Sequence, residues 1–68
     1  MHDIPATIRA ARQAKGLTQR KLGELCGYSD RSGERVVQLW EAGKQPVPMN
    51  KLRVLAKALD LTLDDLIP

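Results

Sequence analysis

Phenylalanine is absent from this chain, and Tyr28 and Trp40 are its only aromatic residues. Any core must therefore be built mainly from Leu, Val, Ile and Ala. Cysteine is scarce too: Cys26 stands alone, so no internal disulfide can form, which fits a reducing cytoplasm. The single histidine, His2, lies at the chain start and offers no framework for a histidine-based acid–base pair. One Cys and one His fall short of the four ligands of a structural zinc site. No apolar run approaches the roughly 18 residues of a membrane span. Met1 to Pro5 has neither the basic start nor the apolar stretch of a secretory signal. The five glycines match no dinucleotide or phosphate loop. No repeat, low-complexity tract or long linker marks a second domain. These absences exclude membrane spans, zinc modules and disulfide scaffolds, and they argue against an enzyme or a cofactor.

What remains is a small basic chain. A domain of 68 residues has a core that seldom supplies more than a few kcal/mol of net stability, roughly the limit below 70–80 residues. A helical bundle or a dimer must make up the rest. The hydrophobic fraction of 43% excludes disorder. The formal net charge is +3, but its distribution is uneven. All eleven Lys and Arg fall between Arg9 and Lys57, against four acids there (Glu24, Asp30, Glu34 and Glu41), a local balance of +7. The remaining acids, Asp3, Asp60, Asp64 and Asp65, sit at the two ends. A basic middle of this kind attracts polyanions, because phosphate contacts supply most of the affinity for nucleic acid. A solvated helical surface would show the same charge, so the motifs must decide.

Periodicity and punctuation predict five short helices and no strand. The first runs from Ile4 to Lys15, with Pro5 in the first turn, where its missing N–H costs nothing. Ile4, Ile8 and Ala11 form its buried stripe, and Gly16 ends it in the left-handed conformation. The second runs from Gln19 to Cys26 behind Thr18 as N-cap, with Leu22 and Cys26 facing inward. Cys26 reads as a packing residue on that face. After a turn at Gly27 to Ser29, a third helix begins at Asp30 or Arg31 and reaches Ala42, with Ser29 as N-cap. Val37 and Trp40 point inward, Val36 is partly covered, and Gly33 weakens the helix it lies in. Trp40 is at core spacing, although a lone Trp can also stack on a base. Pro46 and Pro48 bar any continuation through the loop from Lys44 to Val47. The fourth helix runs from Met49 to Leu59, burying Leu52, Leu55, Ala56 and Leu59. A last turn from Thr62 to Leu66 carries the Thr-x-x-Asp spacing of a capping box.

Taken in order, Gly16-Leu17-Thr18-Gln19, Leu22-Gly23, Gly27-Tyr28-Ser29 and Val37-x-x-Trp40-Glu41-x-Gly43-Lys44 resemble the Cro and phage-repressor helix-turn-helix proteins, the Xre family. The likeness runs from about Ile8 to Leu66. It implies an all-α, lambda-repressor-like bundle whose third helix fits the DNA major groove. Gly23 stands where the family usually has Ala; both are small because the third helix must cross closely there. One departure is clear: between the Gly27 turn and Glu41 this chain is longer by roughly one helical turn. The recognition helix, or the turn leading into it, should be lengthened accordingly.

The resemblance also implies roles for particular residues. Arg12 and Glu41 match the Arg and Glu that fix helix packing in the family, the alternative being two independent surface charges. Gln19 matches a Gln that approaches DNA at the start of the second helix, beside Thr18, where backbone N–H groups favour phosphate. On the third helix Arg31, Ser32, Glu34, Arg35 and Gln38 occupy the outward or leading side. Arg and Gln bridge guanine and adenine edges, and Glu accepts from cytosine. Leu39 either touches a thymine methyl or covers Val36. Lys44 and Gln45 are expected as phosphate anchors, with Lys51 and Arg53 weaker candidates. The expectation is a cytoplasmic, sequence-specific transcriptional regulator, most simply a repressor. It would bind double-stranded DNA as a homodimer, with Leu61, Leu63, Leu66, Ile67 and the Val47-Pro48 loop as candidate interface residues, closing the monomer's own core being an equally good use for them. Two alternatives stay open: an antitoxin-type DNA-binding partner of a toxin, and an interaction module of the same fold that does not bind DNA.

Overall fold

Asp3 opens the first helix, its carboxylate accepting the Ala6 N–H at 3.2 Å, and Pro5 follows inside the first turn. The computed structural model describes residues 3–66, the side chain of Asp30 excepted. The expectations for His2 and Ile67 lie outside those residues. Five helices follow in order: α1 (Ile4–Ala14), α2 (Gln19–Leu25), α3 (Asp30–Glu41), α4 (Met49–Leu59) and α5 (Leu63–Leu66). Each boundary lies close to its sequence-based expectation, and no strand occurs among the described residues.

The helix ends follow from local chemistry. Gly16, Gly27 and Gly43 take φ of 69°, 92° and 71°, the left-handed region where only glycine escapes a Cβ penalty. They turn the chain after α1, α2 and α3. Thr18 Oγ1 accepts the Lys21 N–H at 3.0 Å to start α2. Ser29 holds the N-cap position of α3 but makes no side-chain capping bond, so its expected contribution is positional only. Asp60 ends α4 at φ 56°, and its carboxylate pairs with Lys15 at the end of α1. At α5 the Asp65 carboxylate accepts the Thr62 N–H at 2.9 Å and the Thr62 hydroxyl at 3.0 Å, one half of a capping box.

One aliphatic core joins the helices. Ile8, Leu22, Val37, Trp40, Leu55 and Leu66 are buried, with Cys26, Ala56 and Leu59 around them. Ile4, Ala11, Val36 and Leu52 cover the edge and are only partly buried, Ile4, Ala11 and Leu52 against expectation. Trp40 meets Tyr28 edge-on, ring centroids 6.0 Å apart at 68°. No helix among the described residues is long and apolar enough to cross a membrane.

Gly33 departs most from its expected role. It is buried, one turn before Val37 on the same face of α3, where α3 crosses α2. A Cβ built on Gly23 would lie 2.4 Å from the Gly33 Cα, and one on Gly33 would lie 2.9 Å from the Gly23 Cα. The residue read as weakening α3 is what allows the two backbones to touch. α3 is one continuous helix from Asp30 to Glu41.

Candidate nucleic-acid interface

The inner face of α3 is set by Gly33, Val37, Trp40 and Glu41, all buried. At 3.6 residues per turn the opposite side must carry Arg31, Arg35 and Gln38, spaced i, i+4 and i+7. All three are exposed. Neither Arg31 nor Arg35 makes an ion pair or hydrogen bond among the described residues. Their stripe spans about 10 Å of a helix about 18 Å long, at a rise of 1.5 Å per residue. Ser32 is exposed on one flank, near half-buried Leu39; Glu34 is half-buried on the other. The fold therefore aligns Arg31, Arg35 and Gln38 and sets Ser32 and Glu34 beside them.

Behind this helix lies a charge cluster centred on Glu41, whose side chain is 1% exposed. Its Oε2 accepts Arg12 Nε at 2.7 Å, and its Oε1 accepts Arg12 Nη2 at 3.2 Å. Arg12 Nη1 then donates to the Leu17 carbonyl at 2.8 Å, fastening the α1–α2 turn. The same Glu41 Oε1 accepts Gln19 Nε2 at 3.2 Å and Arg9 Nε at 3.4 Å. A carboxylate taken out of water must be paired and hydrogen-bonded, and four donors do this here. Gln19, half-buried at the first position of α2, is thus held from behind. Thr18 is exposed, but its hydroxyl is engaged as the α2 cap. Arg9 escaped sequence reasoning. It counts as one more polar-side arginine of α1, and only the fold brings it to Glu41.

Lys44 and Gln45 are exposed just past the end of α3, well away from Arg31. They border an apolar concavity of about 520 Å³, walled by Ile4, Pro5, Trp40, Val47, Met49 and Leu66. Met49 is 84% exposed at this wall, and the indole Nε1 of Trp40 has no hydrogen-bond partner among the described residues. Lys51 serves the fold: its Nζ donates to the Cys26 carbonyl at 2.9 Å and lies 4.7 Å above the Tyr28 ring centroid. That places a cation at the negative end of α2. Burial pushes the Cys26 thiol above its ordinary pKa, an effect partly offset by the Lys51 charge. Among the described residues no group of His, Cys, Asp and Glu is arranged to hold a metal.

Two helices joined by a glycine turn, the second exposing a polar stripe, form a helix-turn-helix. A family model of helix-turn-helix domains matches residues 8–66. The chain belongs to the Xre-type helix-turn-helix family. Comparison with curated proteins and with solved structures gives no match. Within this DNA-binding, non-enzymatic family, α2 and α3 form the motif itself, and α1, α4 and α5 build the bundle that carries it.

Proposed function

We propose that this helix-turn-helix protein is a sequence-specific transcriptional repressor that lays α3 in the major groove. The observation that carries this reading is the exposed stripe Arg31, Arg35 and Gln38, opposite the buried face of α3 and without ion pairs among the described residues. Those side chains suit guanine and adenine edges, with Ser32 and Glu34 as flanking contacts. Gln19 at the head of α2 and Lys44 and Gln45 past the end of α3 hold phosphates on either side, with Thr18 shaping the α2 start. Together they fix the register of the helix, while the stripe supplies the discrimination.

The working form on DNA is a homodimer. One module of this size buries too little surface for tight specific binding, and two half-sites about one DNA turn apart are the usual solution. The concavity beside Met49 and Val47 is the face offered to the second copy, whereas Leu66, an expected interface residue, is 1% exposed and closes the monomer's own core. Bound at an operator, such a dimer would act by occupying the DNA.

Titration of random duplex DNA at several salt concentrations tests the reading. Each neutralised phosphate adds roughly −0.9 to the slope of log K against log salt, so a local charge of +7 should give a steep response. Absence of binding at low salt would remove the DNA reading and leave an interaction module of the same fold.

A further inference from the structure

The Glu41 cluster holds more positive charge than its carboxylate can neutralise. Arg12 reaches both carboxylate oxygens through Nε and Nη2 and donates from Nη1 to the Leu17 carbonyl, so each of its three nitrogens is engaged; its side chain is only 13% exposed. Arg9 is engaged through one nitrogen only. Its side chain is 54% exposed and touches Glu41 Oε1 only through Nε, at 3.4 Å. Its two terminal nitrogens make no hydrogen bond among the described residues. Gln19 donates to the same Oε1 from the start of α2, so the two side chains are near neighbours held by one oxygen.

We propose that Arg9 and Gln19 grip a single backbone phosphate of the DNA duplex, with Glu41 as the positioning residue that presents both. The inference rests on the DNA-binding reading and adds a residue to it. A guanidinium with its outer fork free matches a phosphodiester, which it can hold with two parallel N–H···O bonds. The Gln19 amide retains a further N–H to give. Glu41 limits the rotamers of both side chains before DNA arrives, so less conformational entropy is lost on binding. Arg12 meanwhile satisfies the carboxylate and leaves the Arg9 charge for the phosphate.

Salt titrations of random duplex DNA with Arg9→Ala, Arg9→Lys, Gln19→Ala and the Arg9→Ala/Gln19→Ala double variant test the proposal. Thermal melting first establishes that each variant is folded. Arg9→Ala should lower the magnitude of the salt slope by about 0.9, and Arg9→Lys should restore it. Gln19→Ala, a neutral change, should weaken binding without altering the slope. The double variant should lose less than the product of the two single losses, since both groups serve one phosphate. An unchanged slope in Arg9→Ala, or losses that multiply, with wild-type binding intact, would overturn the shared grip alone. A wild type that binds no duplex DNA would overturn the proposal together with the reading beneath it.

Discussion

Gly33 in α3 rests directly on Gly23 in α2, with no room for a methyl group on either. The contact sets how closely the two helices of the motif cross, and so how far the outer stripe of α3 projects. Helix propensity alone would make alanine at either site stabilising by roughly 1 kcal/mol. The contact reverses that sign. Gly23→Ala and Gly33→Ala should each destabilise the fold by about 1–3 kcal/mol, the usual range for overpacking. Gly23→Ala should be the worse, since its Cβ would meet backbone atoms of Gly33 at 2.4, 2.5 and 2.7 Å. Urea denaturation of the two variants gives the order.

Trp40→Ala removes the largest fully buried side chain. The cost should be roughly 3–5 kcal/mol, enough to unfold so small a domain at ordinary temperature. Loss of the cooperative melt in circular dichroism would register it. Tyr28→Ala, which strips the edge-on partner, should leave a folded but less stable protein.

The buried ion pair gives a different pattern. Arg12→Ala leaves the Glu41 carboxylate with weaker donors and should cost about 3 kcal/mol, the lower end for stripping one partner from a buried pair. Arg9→Ala should cost far less, because Arg9 is half exposed and Arg12 keeps the carboxylate satisfied. Chemical denaturation of the two side by side separates the structural arginine from the available one.

Cys26 should resist modification in the native state. Burial raises its thiol pKa, so the reactive thiolate is scarce in the folded protein at neutral pH. The sign for stability follows. The folded state keeps this proton above the pH at which the unfolded thiol loses it. Its contribution is therefore complete below the unfolded pKa and declines as pH rises through the folded one. Iodoacetamide labelling should be slow in buffer and fast in denaturant, and Cys26→Ser should remove the thiol-dependent part of any alkaline loss of stability.

Much of the fold was legible because its signals are local. Gly16, Thr18, Gly27 and Gly43 announce their own backbone conformations, and the spacing of Val37 and Trp40 marks a buried face without reference to neighbours. The Arg31, Arg35 and Gln38 stripe follows from that same face by helical geometry. What stayed hidden depends on which helix lies opposite. Gly33 read as a weak point because periodicity shows that a face is buried but not that another glycine covers it. Lys51 read as a weaker phosphate-anchor candidate until the fold set it against the Cys26 carbonyl and the Tyr28 ring. Arg9 and Gln19 gain a common partner only when α1, α2 and the end of α3 meet.

Met49 offers the cleanest probe of self-association. At 84% exposure it contributes little to the folded monomer. Met49→Lys should keep the melting temperature close to wild type. It should weaken binding to a paired half-site more than to an isolated one. Equal effects on both sites would place the second copy on another face.

The central claim is that α3 reads bases through its outer stripe while Lys44 holds phosphate. Arg31→Ala, Arg35→Ala and Lys44→Ala should be compared for affinity to a selected site and to random duplex, each variant first shown to be folded. The two stripe variants should lose about 1–3 kcal/mol on the selected site and much less on random DNA. Lys44→Ala should weaken both about equally, because phosphates carry no sequence. Uniform losses in Arg31→Ala and Arg35→Ala would contradict the claim: the stripe would then be a second phosphate anchor, and the bases would be read elsewhere.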